Sequence, residues 1–239
     1  MKKSFLIIVA FILFSNILIS QTKEDFFNQS NEFFKKNINL DGKLKYAGLK
    51  KSPGELMYIL KNVENLKIDS LDSNTKVAFW INSYNLLVIK NVIENYPLRS
   101  TSFVNDFFEK KFQIADNQLS LEEIEFRVKD LIKDPGYHFV LSNGTNGGSK
   151  LLNSAYLPET VMYQVSYQMK STINKPGFIK IIKETNSIEL PTVFETHKPD
   201  FVTQYFNQID FLNVFLEKKI DNKLQITYAK RDVTLNEIN

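Results

Sequence analysis

"DSNTKVAFWINSYNLLVIKNVIENYP", Asp72 to Pro97, decides the fold. Ser73 or Asn74 can cap a helix at its start. Pro97 ends one, because proline lacks the backbone N–H and disfavours the helical conformation of the residue before it. Between Val77 and Ile93 apolar residues occupy nearly every side instead of a single stripe. A helix that is apolar all round has no face for water and belongs at the centre of a domain. Inside that run, Asn82 and Asn85 are three apart and project from one face. An unpaired buried carboxamide costs about 1–3 kcal/mol, so each must find a polar partner. Two roles fit them: braces that hydrogen-bond loop backbones, or groups that line a cleft against the loop Ser142–Ser149.

Working outward, "KEDFFNQSNEFFKKN" from Lys23 repeats a phenylalanine pair, Phe26 and Phe27, seven residues on at Phe33 and Phe34, with charges between. That spacing predicts an amphipathic helix, an N-terminal arm laid on the domain. Ser52-Pro53 with Glu55 in the first turn predicts a helix from Pro53 to about Leu66. Ser120 followed by Glu123 is a capping box, and Ile124, Val128 and Leu131 carry the helix behind it to Lys133. Strands are expected at Lys111–Ala115 paired with Gln118–Leu119, and at Tyr137–Leu141, Phe178–Lys183, Ser187–Leu190 and Leu224–Tyr228, with "KETN" turning a hairpin between the fourth and fifth segments. Helices alternate irregularly with short strands, which gives an α+β class: a single domain with a central buried helix, several amphipathic helices and mainly hairpin-type strands.

The N-terminus, "MKKSFLIIVAFILFSNILISQ", has the order of a secretory signal: Lys2 and Lys3, an apolar run from Phe5 to Phe14, then small or polar residues around Ser15 and Ser20. A membrane anchor is the alternative, since Ile17 to Ile19 extend the run toward the roughly 20 residues that a span needs. The expectation is cleavage near Ser20, export to the periplasm or beyond, and no stable membrane insertion afterwards. The organisation is then a signal over 1–20, a helical arm over 21–42 and one domain over 43–239. Richness in Lys, Asn, Ile and Phe suggests an AT-rich bacterial genome. The net charge is +3 and no long Lys/Arg block occurs, which argues against nucleic acid as a partner. The chain has no cysteine. Disulfides, thiolate nucleophiles and a lipid-bearing N-terminal cysteine are therefore all excluded. With two histidines, His138 and His197, and no H-x-x-x-H spacing, no metal centre and no cofactor are expected.

"GYHFVLSNGTNGGSK", Gly136 to Lys150, places His138 ahead of a loop rich in residues that tolerate positive φ. A phosphate loop needs G-x-x-x-x-G-K-[ST]; five on from Gly144 stands Ser149, so that reading fails.

"AFWINSYNLLVIKNVI" (Ala78–Ile93), "LSLEEIEFRV" (Leu119–Val128), "HFVLSNGTNGGSKLLNSAY" (His138–Tyr156), "VFETHKPDF" (Val193–Phe201) and "YAKRDVTLNE" (Tyr228–Glu237) follow one another in the order and spacing of the bacterial and plant family catalogued as domain of unknown function 547, which the chain resembles from about Lys43 to Glu237. "FWINSYN" is the most specific of these segments. The resemblance implies an α+β domain and leaves activity open. Family members read like "HFALNCGARSCPPL" where the loop stands here, so Asn143 and Gly148 take the places of the two cysteines and Ser149 and Lys150 those of prolines. In the segment that reads "WYxxDF" in the family, Thr196 and His197 replace the aromatic pair, while Asp200 and Phe201 remain.

The residues then offered for chemistry are His138 as the one group near neutral pH in its neighbourhood, Glu125 to orient it, and Asp200. Those offered for binding are Asn82, Asn85, Ser142, Asn143, Gly144 and Ser149. Two functions remain open. One is an exported, non-catalytic binding or scaffold module whose partner is a small molecule or a periplasmic protein. The other is a cysteine-independent, hydrolase-like enzyme with a cleft around His138 and the Ser142–Ser149 loop; its weakness is that Ser142, Thr145 and Ser149 sit in no recognisable nucleophile elbow.

Overall fold

The computed structural model describes residues 23–238, so the expected signal segment lies outside the described residues. In chain order the helices are α1 (23–37), α2 (Tyr46–Lys51), α3 (Gly54–Asn62), α4 (Ser73–Asn95), α5 (Leu121–Ile132), α6 (Val161–Ile173), α7 (Thr192–Thr196), α8 (Lys198–Val202) and α9 (Gln208–Phe215). The strands are β1 (Phe112–Ile114), β2 (Asn117–Leu119), β3 (Lys180–Ile182), β4 (Ser187–Leu190) and β5 (Gln225–Tyr228). Together they make a single α+β domain with two small sheets. No helix among the described residues is long and apolar enough to cross a membrane.

Helix α4 is the spine, with α5 along it and α2, α3 and α6 around it. Every residue from Val77 to Ile89 is buried, as an all-round apolar helix requires. Its cap comes one residue earlier than the sequence suggests: the Asp72 carboxylate accepts the Thr75 N–H at 3.0 Å. Trp80 packs edge-on to Phe79, and the Arg127 guanidinium of α5 lies 5.1 Å from the indole. The four phenylalanines of α1 are all buried in the same core, with the Phe26 and Phe79 rings 5.0 Å apart, so this helix forms one of its walls. Helix α5 starts on the expected capping box, in which Ser120 and Glu123 each hold the other's backbone N–H. Helix α3 is shorter than expected, ending at Asn62.

The strands β1 and β2 form an antiparallel hairpin, as do β3 and β4 around a 3₁₀ turn and a left-handed Asn186. Strand β5 joins β4 in parallel, an arrangement that no hairpin supplies. The chain reaches it by crossing over through α7, α8 and α9. One strand expectation fails outright. Tyr137–Leu141 is not extended: Pro135–Phe139 is a 3₁₀ turn, with the Asp134 carboxylate accepting the Gly136 N–H. The polar groups that a neighbouring strand would have paired are taken instead by a side chain of α4.

Two hydrophobic cores result. The larger surrounds α4; the smaller, with Phe139, Met169, Ile188, Phe194, Phe201 and Phe211, lies between the three-stranded sheet and α6, α8 and α9. The 3₁₀ turn straddles their seam: Tyr137 and Val140 belong to the first core and Phe139 to the second.

Trp80→Ala should cost about 3–5 kcal/mol, because it empties a fully packed indole site and leaves Arg127 without its aromatic floor. Denaturant titration of the two proteins measures the difference.

Candidate functional site

The site is built on two carboxamides. Asn85 Nδ2 donates to the Val140 carbonyl at 2.9 Å while its Oδ1 accepts the Ser142 N–H at 2.9 Å. Asn82 does the same one turn away, donating to Tyr156 O at 2.7 Å and accepting Tyr156 N–H at 2.9 Å. Both are buried and line no cleft. They act as braces, gripping the main chain on either side of the loop.

Within the loop every hydroxyl is committed. Ser142 Oγ accepts the Gly144 N–H at 3.3 Å; Thr145 Oγ1 donates to Asn143 Oδ1 at 2.7 Å; Ser149 Oγ donates to the backbone carbonyl of His138. Gly144 has φ +77° and turns its Cα toward Thr101, Val88 and Val92, where a side chain would collide. The C-terminal stretch pins the loop from the other side: Asn146 N–H donates to Thr234 O at 2.8 Å, Gly147 N–H to Asp232 O at 2.8 Å, and Asn236 N–H to Gly144 O at 3.1 Å. Position 148 faces Asn143, whose Cγ lies 2.6 Å from where a Cβ at 148 would sit.

The groups capable of acid–base chemistry gather elsewhere, at the seam. His138 Nε2 lies 2.9 Å from Asp200 Oδ2. The same carboxylate accepts the Tyr137 hydroxyl at 2.7 Å and, through Oδ1, the Lys129 ammonium at 2.8 Å. His197, at the junction of α7 and α8, packs against His138 with ring centroids 4.3 Å apart and planes tilted by 42°. Burial pushes the His138 imidazole down to about 4, and His197 adds to this; the Asp200 carboxylate pulls the other way and does not compensate. Burial opposes the Asp200 charge too, but the hydrogen bonds from Lys129, Tyr137 and His138 outweigh it and hold the carboxyl at about 2. His197 is also lowered, chiefly by burial. At neutral pH the arrangement is therefore two neutral imidazoles beside an ionised carboxylate.

Of the three residues expected to do chemistry, the structure joins His138 and Asp200 and leaves Glu125 aside. Among the described residues the Glu125 carboxylate makes no hydrogen bond to His138 or to Arg127, which lies over Trp80 instead. Its carboxyl is raised by burial and by the charge of Glu122. Neither the loop nor the His138 side chain lines the recess beside the cluster. The recess beside the cluster, about 390 Å³, runs between α5 and the end of α8 and is lined by Phe126, Lys129, Lys133, Tyr137, Asp200 and Tyr205. Sequence reasoning missed His197, Tyr137 and Lys129. The one available signal was the H-x-x-D spacing of His197 and Asp200, which places both on a single turn.

Residues 68–172 match the model of the family described as "Protein of unknown function, DUF547". No curated protein and no solved structure matches the chain. The matched stretch contains α4, α5, His138 and the loop; His197 and Asp200 lie beyond it.

Asn85→Ala should destabilise the domain by about 2–4 kcal/mol, since it strands a buried carbonyl and a buried N–H together. Faster proteolytic cutting within 136–149 than in the parent, alongside a lower denaturation midpoint, is the check. The pair N143C/G148C should oxidise in air to a disulfide, because the Asn143 side chain already reaches the place that a Cβ at 148 would take, so cysteines at the two positions face each other. Thiol titration and a mass loss of two hydrogens report it, and Gly148→Cys alone should be less stable than the parent.

Proposed function

We propose that this chain, a member of the family described as "Protein of unknown function, DUF547", is an exported, non-catalytic binding module that takes a small molecule in the recess between α5 and α8. The observation that carries this reading is the fate of the hydroxyls. Covalent catalysis needs a nucleophile within hydrogen-bond reach of its base. Here Ser142 accepts the Gly144 N–H, Thr145 donates to the Asn143 side chain and Ser149 to the His138 carbonyl, Thr203 in the recess donates to Pro199 O at 2.7 Å, and Tyr137 donates to Asp200. The imidazole faces a carboxylate, not a hydroxyl.

The recess suits recognition. Phe126 is 69% exposed at its edge and offers a ring for stacking, while Lys129 and Lys133 offer cations for a carboxylate or phosphate. The Lys2–Phe14 pattern supports export, which sequencing the N-terminus of the mature protein from fractionated cells would settle.

Ligand-observed NMR against small aromatic carboxylates and phosphates should give hits that compete with one another and vanish in the Phe126→Ala/Lys133→Ala double variant. Hits indifferent to that variant would relocate the site. Turnover of ester, amide or phosphoester substrates that His138→Ala abolishes would replace binding with catalysis.

A further inference from the structure

We propose that His138, His197 and Asp200 form a binding site for one divalent first-row transition-metal ion of the zinc class. The chain's only two histidines, from the 3₁₀ turn and from the α7–α8 junction, meet beside one carboxylate with their ring centroids 4.3 Å apart and their planes tilted by 42°. One ligand atom from each of the three residues lies within 4.8 Å of the other two. Donors held about 2.0–2.2 Å from a shared ion at angles of roughly 90–110° are themselves about 2.8–3.6 Å apart. His138 Nε2 and Asp200 Oδ2, at 2.9 Å, already have that separation. His197 has to close by about 1–2 Å to reach the same spacing. It sits at a half-buried position where its ring makes no side-chain hydrogen bond among the described residues, so a χ rotation can supply the movement.

The surroundings are those of a ligand set held in place. Lys129 grips Oδ1 and Tyr137 donates to Oδ2, so the carboxylate cannot swing. Outer hydrogen bonds of this kind orient the groups that touch a metal. Ser149 holds the backbone carbonyl of His138, which fixes the turn carrying the first imidazole. For the ion to take Nε2, the neutral His138 ring moves its proton to Nδ1, and the ion replaces the hydrogen bond to Asp200 with a bond to each partner. Two imidazoles and one carboxylate suit zinc, cobalt or ferrous iron, whereas calcium and magnesium prefer several oxygens. Lys129 and Arg231 are the opposing charges; Lys129 sits on the far oxygen, and its side chain is 49% exposed to water.

Short-range spacing could not show this, because the ligands come from residues 138, 197 and 200, which the two cores bring together. The metal site shares Asp200, Tyr137 and Lys129 with the recess proposed for a small molecule, and its test is separate because it uses the ion alone.

Calorimetric titration of the purified chain, free of any histidine tag and stripped with chelator, provides that test. With zinc chloride the expected result is one ion per chain at a Kd tighter than about 10 μM. His197→Ala and Asp200→Asn, each shown to be folded by circular dichroism, should bind at least about 100-fold more weakly. His197 lies at a partly exposed junction, which keeps the test independent of His138, whose loss could disturb the turn. Magnesium chloride should give no comparable binding. A zinc Kd weaker than about 10 μM, an unchanged affinity in both variants, or equal affinity for magnesium would each overturn the proposal.

Discussion

The rest of the structure depends on a single buried carboxamide. Asn85 offers one donor and one acceptor from the middle of an apolar helix, and the backbone of residues 140–142 supplies their complements. Neither partner has another way to satisfy its hydrogen bonds in that position, so each fixes the other. Because Val140 and Ser142 are held one and three residues past the 3₁₀ turn, the turn has one place to lie, and His138 with it. Asn82 repeats the device at Tyr156, so the chain leaving the loop is as constrained as the chain entering it. An apolar residue at either position would suit the helix and release the loop.

The second constraint lies across the seam. The small core of Phe194, Phe201 and Phe211 is joined to the large one by the 3₁₀ turn, which sends Tyr137 into one and Phe139 into the other, and by a polar knot in which one Asp200 carboxylate receives Lys129, Tyr137 and His138. An ion pair so placed is weak evidence for stability, since desolvation offsets much of its attraction. Its value is geometric. Lys129 comes from α5, Tyr137 and His138 from the 3₁₀ turn, and Asp200 from α8, so only one docking of the second core satisfies all three donors. That explains why a polar cluster is found where apolar packing alone would have allowed sliding.

The central helix was legible because an all-round apolar run of that length has one solution, and the braces because a buried amide must have a partner. The capping box at Ser120 was read for the same local reason. What was not legible depended on distance or brevity. Tyr137–Leu141 reads as a strand since a short apolar run has no period that separates strand from turn; only the grip of Asn85 from another element decides. Helix α6 buries Val161, Val165, Met169 and Ile173 at helical spacing, yet Met162, Tyr163 and Tyr167 on its exposed face blur the stripe. Helices α7 to α9 run 5, 5 and 8 residues, too short for periodicity to speak. His197 carried only the H-x-x-D spacing to Asp200, and the rest of its meaning comes from the His138 ring that the fold sets against it.

The loop and the seam divide the labour differently from what glycine and serine content suggests. A segment such as "SNGTNGGS" invites a chemical reading because its residues are small, polar and flexible, but flexibility is what a backbone needs to be clamped from both sides. With Gly144, Asn146 and Gly147 hydrogen-bonded to the C-terminal stretch and Gly147 set close against the Asp232 backbone, the loop is held in place and its hydroxyls are engaged in hydrogen bonds. Its consequence for chemistry is indirect: Ser149 holds the His138 carbonyl, and the imidazole on the same residue points away from the loop, into the seam. Reactive potential in this domain thus follows the boundary between its two cores, where neutral imidazoles and an anion can be partly dried without being buried alone, and the loop is the scaffold that keeps them there.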